Sequence, residues 1–306
     1  MRTRSGNPLV AQEIPPRVEA LWSRPRTLGT VATLPSTRTT ITTEDGARLA
    51  VRQQGDPGAD PLLLIAGQSL SGAAWDPAVE TFARRHLVIT YDHRGTGDSD
   101  LIFPEQAGAW STRHAARDAA AVLGGVGVAR AHVYGHSMGG RIAQWLAADS
   151  PQLVAALVLG GTTGGDAHGA PRRDEVSAVL AEGDPAALGP LFFRSSWLAE
   201  HPDDAQVPAR TSSPVARRAH FAASQSHDAW AVLGDIAAPT LVVHALDDEI
   251  CPAENARLLV AAIPGAELYL LDNGRHVYYA GGVEANEAVL SFLRHHPVRQ
   301  GVAGLP

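Results

Sequence analysis

Val133-Tyr134-Gly135-His136-Ser137-Met138-Gly139-Gly140 is the stretch that most restricts what this chain can become. The short apolar run Ala131–Tyr134 predicts a buried strand, and a helical pattern begins directly after Ser137. Gly-x-Ser-x-Gly between a strand and a helix is the bend called a nucleophile elbow. Sterics explain its glycines: the serine backbone is strained there, and a Cβ at Gly135 or Gly139 would collide with the neighbouring strand or helix. The bend holds a hydroxyl clear of the backbone at a helix N-terminus, where unpaired N–H groups and the helix dipole favour a developing negative charge. Such a bend also occurs as an ordinary turn, so its chemistry depends on partners elsewhere in the chain.

Around this bend, short apolar strands alternate with amphipathic helices. Strands are predicted at Thr39–Thr43, Ala47–Gln53, Pro61–Ala66, Leu87–Tyr91, Ala131–Tyr134, Leu153–Leu159, Thr240–His244 and Glu267–Leu271. The first two flank Asp45-Gly46 and read as a β-hairpin. Helices are predicted near Trp75–Arg84, at Thr112–Leu123, after Ser137, at Ala253–Ala262 and at Glu284–His295. The expectation is a mostly parallel, eight-stranded α/β sheet with helices on both faces. Strand signals stop between residues 162 and 235, where helical stretches appear at Glu175–Glu182, Ala186–Ala199 and Pro214–Ser224. This segment reads as a helical lid inserted into a core made of residues 37–161 and 236–297. Residues 1–36 read as a Pro- and Arg-containing arm with a short helix around Val18–Trp22, and 298–306 as a tail.

Composition removes several function classes. The 306 residues carry a formal charge of −7 with no basic block, which argues against nucleic-acid binding. Every one of the 25 basic residues is arginine, so no lysine Schiff base and no pyridoxal chemistry can form. Cys251 is the single cysteine, which leaves no intrachain disulfide. No 18-residue apolar run suggests a membrane span, and no apolar segment of signal-peptide length follows Arg2 and Arg4; the chain reads as cytoplasmic. His220, His227, His244 and the pair His295-His296 lack ligand spacing, so neither metal nor cofactor is expected and the partner is a small-molecule substrate.

A serine hydroxyl needs a base in reach, and the base needs a carboxylate to fix its tautomer. Two loops after the insertion qualify, each following a predicted strand. One is Ala245-Leu246-Asp247-Asp248-Glu249-Ile250-Cys251-Pro252, with three adjacent acids; the other is Asp272-Asn273-Gly274-Arg275-His276-Val277, with one histidine. Open α/β sheets gather such loops at the C-terminal ends of their strands. The order serine, acid, histidine is that of one hydrolase architecture.

Gly-His-Ser-Met-Gly-Gly (135–140), Asp-x-Arg-Gly-x-Gly-x-Ser (92–99), Asp248-x-x-x-Pro252 and Gly274-x-His276 together resemble the α/β-hydrolase fold superfamily. The resemblance spans about residues 39–160 and 236–296. It implies Ser137 as nucleophile, His276 as base and Asp248 as the acid, the last because it stands four residues before Pro252; Asp247 and Glu249 would be solvated neighbours. It implies an oxyanion hole formed by the N–H groups of Met138 and Gln68. Ala66 departs from the common pattern, which has histidine before the glycine. Asp92–Ser99 would brace the loops around the site, and His136 would be packed. Phe192, Phe193, Trp197 and Trp230 are candidates to line an apolar substrate pocket.

Leu64–Ser69 with Trp75, and Gly139–Trp145, resemble bacterial enol-lactone hydrolases and polyketide methyl esterases. These likenesses imply hydrolysis of a carboxylic ester or lactone of a small to medium apolar substrate. The same scaffold also admits carbon–carbon bond hydrolysis, acyl transfer, or a non-hydrolytic receptor or cyclase. Serine at the elbow disfavours epoxide hydrolase or dehalogenase chemistry, which uses aspartate there.

Overall fold

The computed structural model describes residues 34–102, 110–182, 184–202 and 212–299. All but the last residues of the expected arm, its helix around Val18–Trp22, and most of the expected tail lie outside them.

Eight strands form one sheet: β1 (Ser36–Thr42), β2 (Arg48–Gln54), β3 (Pro61–Ile65), β4 (Leu87–Tyr91), β5 (Ala131–His136), β6 (Val154–Gly160), β7 (Thr240–Ala245) and β8 (Glu267–Leu271). Their spatial order is β1-β2-β4-β3-β5-β6-β7-β8. The β1–β2 and β2–β4 pairs are antiparallel, and all pairs from β4 through β3 to β8 are parallel. The apolar runs β4, β5, β6 and β7 are buried along their whole length, as a sheet covered on both faces requires. β1, mostly Ser, Thr and Arg, is exposed at one edge; its polar side chains suit a strand with an unpaired side.

The helices are α1 (Asp76–Ala83), α2 (Thr112–Gly125), α3 (Met138–Asp149), α4 (Asp174–Glu182), α5 (Pro185–Phe192), α6 (Ser195–Glu200), α7 (Pro214–Gln225), α8 (Glu254–Ala262) and α9 (Val283–His295). Strand periodicity sorts the core into two layers. Leu63, Ile65, Leu157, Leu159 and Val242 face one cluster with Leu123, Ile142 and Leu259 of α2, α3 and α8. Leu62, Leu64, Val158, Leu241 and Val243 face the other, with Phe82 of α1 and Val289 and Leu293 of α9. None of the described helices is long and apolar enough to cross a membrane.

Among the described residues, four α-helices, α4 to α7, lie between β6 and β7. The expected single helix Ala186–Ala199 is instead two, α5 and α6, because the chain turns extended at Phe193 and Arg194. The last carbonyls of α5 are used by another segment: Leu191 O accepts from His276 N at 3.4 Å and Phe192 O from Val277 N at 2.7 Å. α7 starts where side-chain chemistry dictates, with Ser213 Oγ accepting from Ala216 N and Pro214 in the first turn.

The charged turn after β4 ties distant segments together. Asp92 accepts from the amides of Gly72 and Asp98, both at 2.8 Å. The buried Arg94 grips Asp118 of α2 through Nε (2.8 Å) and Nη2 (2.6 Å), and reaches Asp45 of the β1–β2 hairpin through Nη1 at 2.7 Å. His93 Nε2 donates to Ala66 O at 2.9 Å.

Close approach at the start of α3 yields a first prediction. A Cβ at Gly139 would lie 2.1 Å from Ile65 O and 2.7 Å from Ala66 O, both backbone atoms of the central strand and its exit. Nothing flexible can yield there. Gly139→Ala is expected to destabilise the fold at or beyond the upper end of overpacking costs, about 3 kcal/mol, read as a lower urea midpoint at unchanged slope. A midpoint within experimental error of wild type would contradict this packing account.

Candidate active site

The elbow forms because β5 must turn into α3 within one residue. Ser137 takes φ 57° and ψ −121°, a left-handed-side conformation that side chains other than glycine rarely adopt. Neighbouring backbone pins it: Ser137 N donates to Gly160 O at 2.8 Å, and Thr162 Oγ1 donates to Ser137 O at 2.7 Å. A Cβ at Gly135 would lie 2.2 Å from Gly139 O, and one at Gly140 would lie 2.6 Å from Thr162 Cγ2. The half-buried Ser137 does not cap its own helix with its hydroxyl, so the oxygen is turned to other use.

Asp248 and His276 arrive from the loops after β7 and β8. Asp248 Oδ2 lies 2.8 Å from His276 Nδ1, and both residues are buried. Asp248 Oδ1 accepts from the amides of Ile250 and Cys251, each at 2.9 Å. Those amides leave Oδ2 to the imidazole, so His276 Nδ1–H donates and Nε2 stays available as an acceptor. Burial alone would push the Asp248 carboxyl up, but the imidazoles of His276 and His244 outweigh it and hold the group well below the ordinary carboxylate range. His244 Nε2 donates to Cys251 O at 2.7 Å and stands 3.4 Å from Asp248 Oδ2. No hydrogen bond joins the Ser137 hydroxyl to His276 among the described residues; such contacts commonly close only when substrate binds.

Asp247 and Glu249 are not the solvated neighbours expected from the sequence. Asp247 Oδ1 accepts from the amides of Gly274 (2.8 Å) and Arg275 (2.9 Å), holding Arg275 at φ 55°. Glu249 accepts from Arg275 Nη1 at 2.6 Å and from Arg173. The acid loop therefore positions the histidine loop through its backbone as well as through Asp248.

Two groups of donors face the elbow. The Met138 N–H belongs to the first turn of α3 and has no partner within the helix. The loop Gly67–Ser69 approaches closely, since a Cβ at Gly67 would sit 3.4 Å from Ser137 Cβ. Ser69, at φ 62°, gives its N–H to His220 Nδ1 at 3.1 Å. The Gln68 N–H has no partner among the described residues and is the amide this loop leaves open. Ala66 lacks the histidine of the common pattern, yet the loop is held by His93 on Ala66 O and by His220 on Ser69.

Three histidines thus organise the site: His136 inside the elbow motif, and His220 and His244 outside every sequence motif. His220 of α7 joins Ser69 to Arg94 O (3.0 Å) and stacks on Trp110 at 4.4 Å. Burial, with His93 beside it, pushes it down to about 3, so it is neutral and its Nδ1 can accept. His136 Nε2 donates to His276 O at 2.8 Å; burial and the adjacent His276 push it down to about 3. His244 lies under the acid. The only sequence signal was their adjacency to the motifs in the chain or to the inserted helices.

Of the pocket candidates, Phe192 lies nearest the base, its ring 5.8 Å from that of His276. Phe193 and Trp197 pack on the same core cluster, and Trp197 stacks on His201 at 3.8 Å. Trp230 is not gathered with them. Its Nε1 donates to Gly165 O at 3.0 Å and it packs on the opposite cluster.

The comparisons agree with this architecture. A sequence profile described as alpha/beta hydrolase fold matches residues 60–194. "Putative carbamate hydrolase RutD" of Azorhizobium caulinodans is 35% identical over 244 residues, which cover 76% of this chain and 90% of that protein. A hydrolase from Pseudomonas aeruginosa PA01 matches with a TM-score of 0.71 and 29% identity, covering 83% of this chain and 97% of that one. Est816, described as an N-acyl homoserine lactone degrading enzyme, matches with a TM-score of 0.70 and 29% identity, covering 83% and 100%.

Proposed function

The chain belongs to the α/β-hydrolase fold family, and from that premise we propose that its hydrolase activity runs through Ser137, His276 and Asp248 on a carboxylic ester or lactone. The observation that supports this most is the 2.8 Å contact of His276 Nδ1 with the buried Asp248, on loops that converge with the elbow at one end of the sheet. Ser137 Oγ attacks the carbonyl carbon while His276 Nε2 takes its proton. The carbonyl oxygen becomes an oxyanion held by the N–H groups of Met138 and Gln68. Collapse expels the alcohol oxygen, which takes the proton from His276; in a lactone the alcohol remains tethered to the acyl group. Water, deprotonated by His276, then attacks the acyl-serine, and Ser137 leaves with its proton restored. Asp248 holds the imidazole in the tautomer that can accept, and stabilises the imidazolium formed in each half-reaction. The segment 162–235 acts as a lid: α5 docks on the histidine loop and α7 holds the oxyanion loop through His220.

A fluorophosphonate probe tests this reading. One adduct on the intact protein, mapped to Ser137 by peptide mass, with parallel loss of ester, lactone or carbamate hydrolysis, is the expected result. Carbamates enter the panel because a relative carries that description. An unlabelled Ser137 in protein that turns over its substrate would overturn the assignment.

A further inference from the structure

One buried cation beside the elbow has a single, loose ionic contact and no carboxylate within hydrogen-bond distance among the described residues. Arg141 lies one turn into α3 and is 8% exposed. Its Nη1 donates to Ser224 O at the end of α7. Its Nη2 stands 3.6 Å from Asp166 Oδ1, beyond hydrogen-bond distance, and that aspartate side chain is itself 56% exposed. Nε and Nη2 make no hydrogen bond among the described residues, yet neither is sealed from solvent. In this same molecule that edge is the carboxylate grip: Arg94 holds Asp118 through Nε and Nη2, and Arg113 holds Asp149 in the same way. Arg141 thus presents an empty fork.

Helix spacing sets Arg141 on the same face of α3 as Ser137. Residues i and i+4 share a helix face, and helical side chains lean back toward the N-terminus, here toward Ser137. Four residues of helix amount to about 6 Å of axial rise. α7, which Arg141 touches, also holds the oxyanion loop, and the Asp166 loop follows the strand that pairs with the elbow strand. Burial works against the Arg141 guanidinium, Cys251 and Asp166 nearby favour its charge, and Arg172 adds a second cation. A buried guanidinium that cannot discharge calls for an anion.

Resting on the serine-hydrolase reading, we propose that the Nε/Nη2 edge of Arg141 binds a carboxylate carried by the substrate, so that the preferred ester or lactone is anionic. The carboxylate stands a few carbons from the reacting carbonyl. Apolar contacts such as Phe192 would take the rest of the substrate.

The test pairs methyl monoesters of succinate, glutarate and adipate with neutral analogues in which a methyl ketone replaces the free carboxylate. For the best chain length, wild type is expected to favour the anionic ester by about 100-fold in kcat/KM, the scale of a hydrogen bond to a charged group. Arg141→Met is expected to lower that ratio at least tenfold. If Arg141→Met does not fold, Arg141→Lys, which keeps the charge but loses the fork, should still lower the ratio. Asp166→Asn should preserve the preference. Turnover without charge preference at every length, or a preference unaltered in the folded Arg141 variants, overturns the carboxylate site alone. Absence of any turnover, with Ser137 unlabelled by the probe, overturns the hydrolase reading and this proposal with it.

Discussion

Ser137→Ala is expected to lower kcat on the best ester by about a million-fold, and Asp248→Asn by about ten-thousand-fold. The two numbers differ for a physical reason. On the proposed mechanism alanine removes the nucleophile, and what remains is the polarising field of the Met138 and Gln68 N–H groups. Asparagine keeps the shape of the acid. Its oxygen can still accept from the amides of Ile250 and Cys251, which turns its NH₂ toward His276 Nδ1. The imidazole must then carry its proton on Nε2, where it cannot receive one from Ser137. Because serine and histidine act as one unit, Ser137→Ala combined with His276→Ala should be hardly worse than Ser137→Ala alone. Steady-state kinetics with active-site titration of each variant decide the matter. A Ser137→Ala protein retaining one percent of wild-type turnover would remove the serine from the mechanism.

Acid should unfold this protein earlier than its carboxylates alone would predict. His132 is 0% exposed and neither ring nitrogen has a hydrogen-bond partner, with Asp60 Oδ2 3.9 Å from Nε2; burial, with His86 beside it, pushes it down to about 4. Burial pushes His136, His220 and His227 down to about 3. In the unfolded chain each would titrate near its ordinary value of about 6.5. The unfolded state therefore binds more protons than the native one as pH falls below about 6.5, and stability declines with it until the native values are reached. His132 alone is worth about 3 kcal/mol over its interval, against a total that is ordinarily about 5–15 kcal/mol. Urea midpoints should fall steadily from pH 6.5 to 5, before carboxylates contribute. His132→Leu, which removes the buried ring, should flatten part of that slope. A midpoint unchanged between pH 7 and 5 would contradict the burial of these rings as neutral groups.

Much of the scaffold was legible from local pattern. The central strands β3 to β7 fall where the apolar runs place them, because a strand buried on both faces has no alternative to a continuous apolar sequence. The hairpin at Asp45-Gly46 and the elbow were legible because glycine is required at positive φ and at close backbone approach. The insertion was harder. Gly189-Pro190 signals a weak helix there, but the position of the break between α5 and α6 goes with the 276–277 amides taking the carbonyls of Leu191 and Phe192.

Sequence by itself determined the strand–elbow–helix bend, the order of serine, acid and histidine, and the alternation that makes an α/β sheet. These depend on backbone sterics and side-chain period, which act over a few residues. Tertiary structure alone decided that Asp247 holds the histidine loop, that His220 leaves Gln68 as the open amide, and that Arg141 is buried with an empty fork. Each of those facts is a hydrogen bond made or missing between segments far apart in the chain. Such a bond depends on a position in space, and no local pattern of residues encodes it.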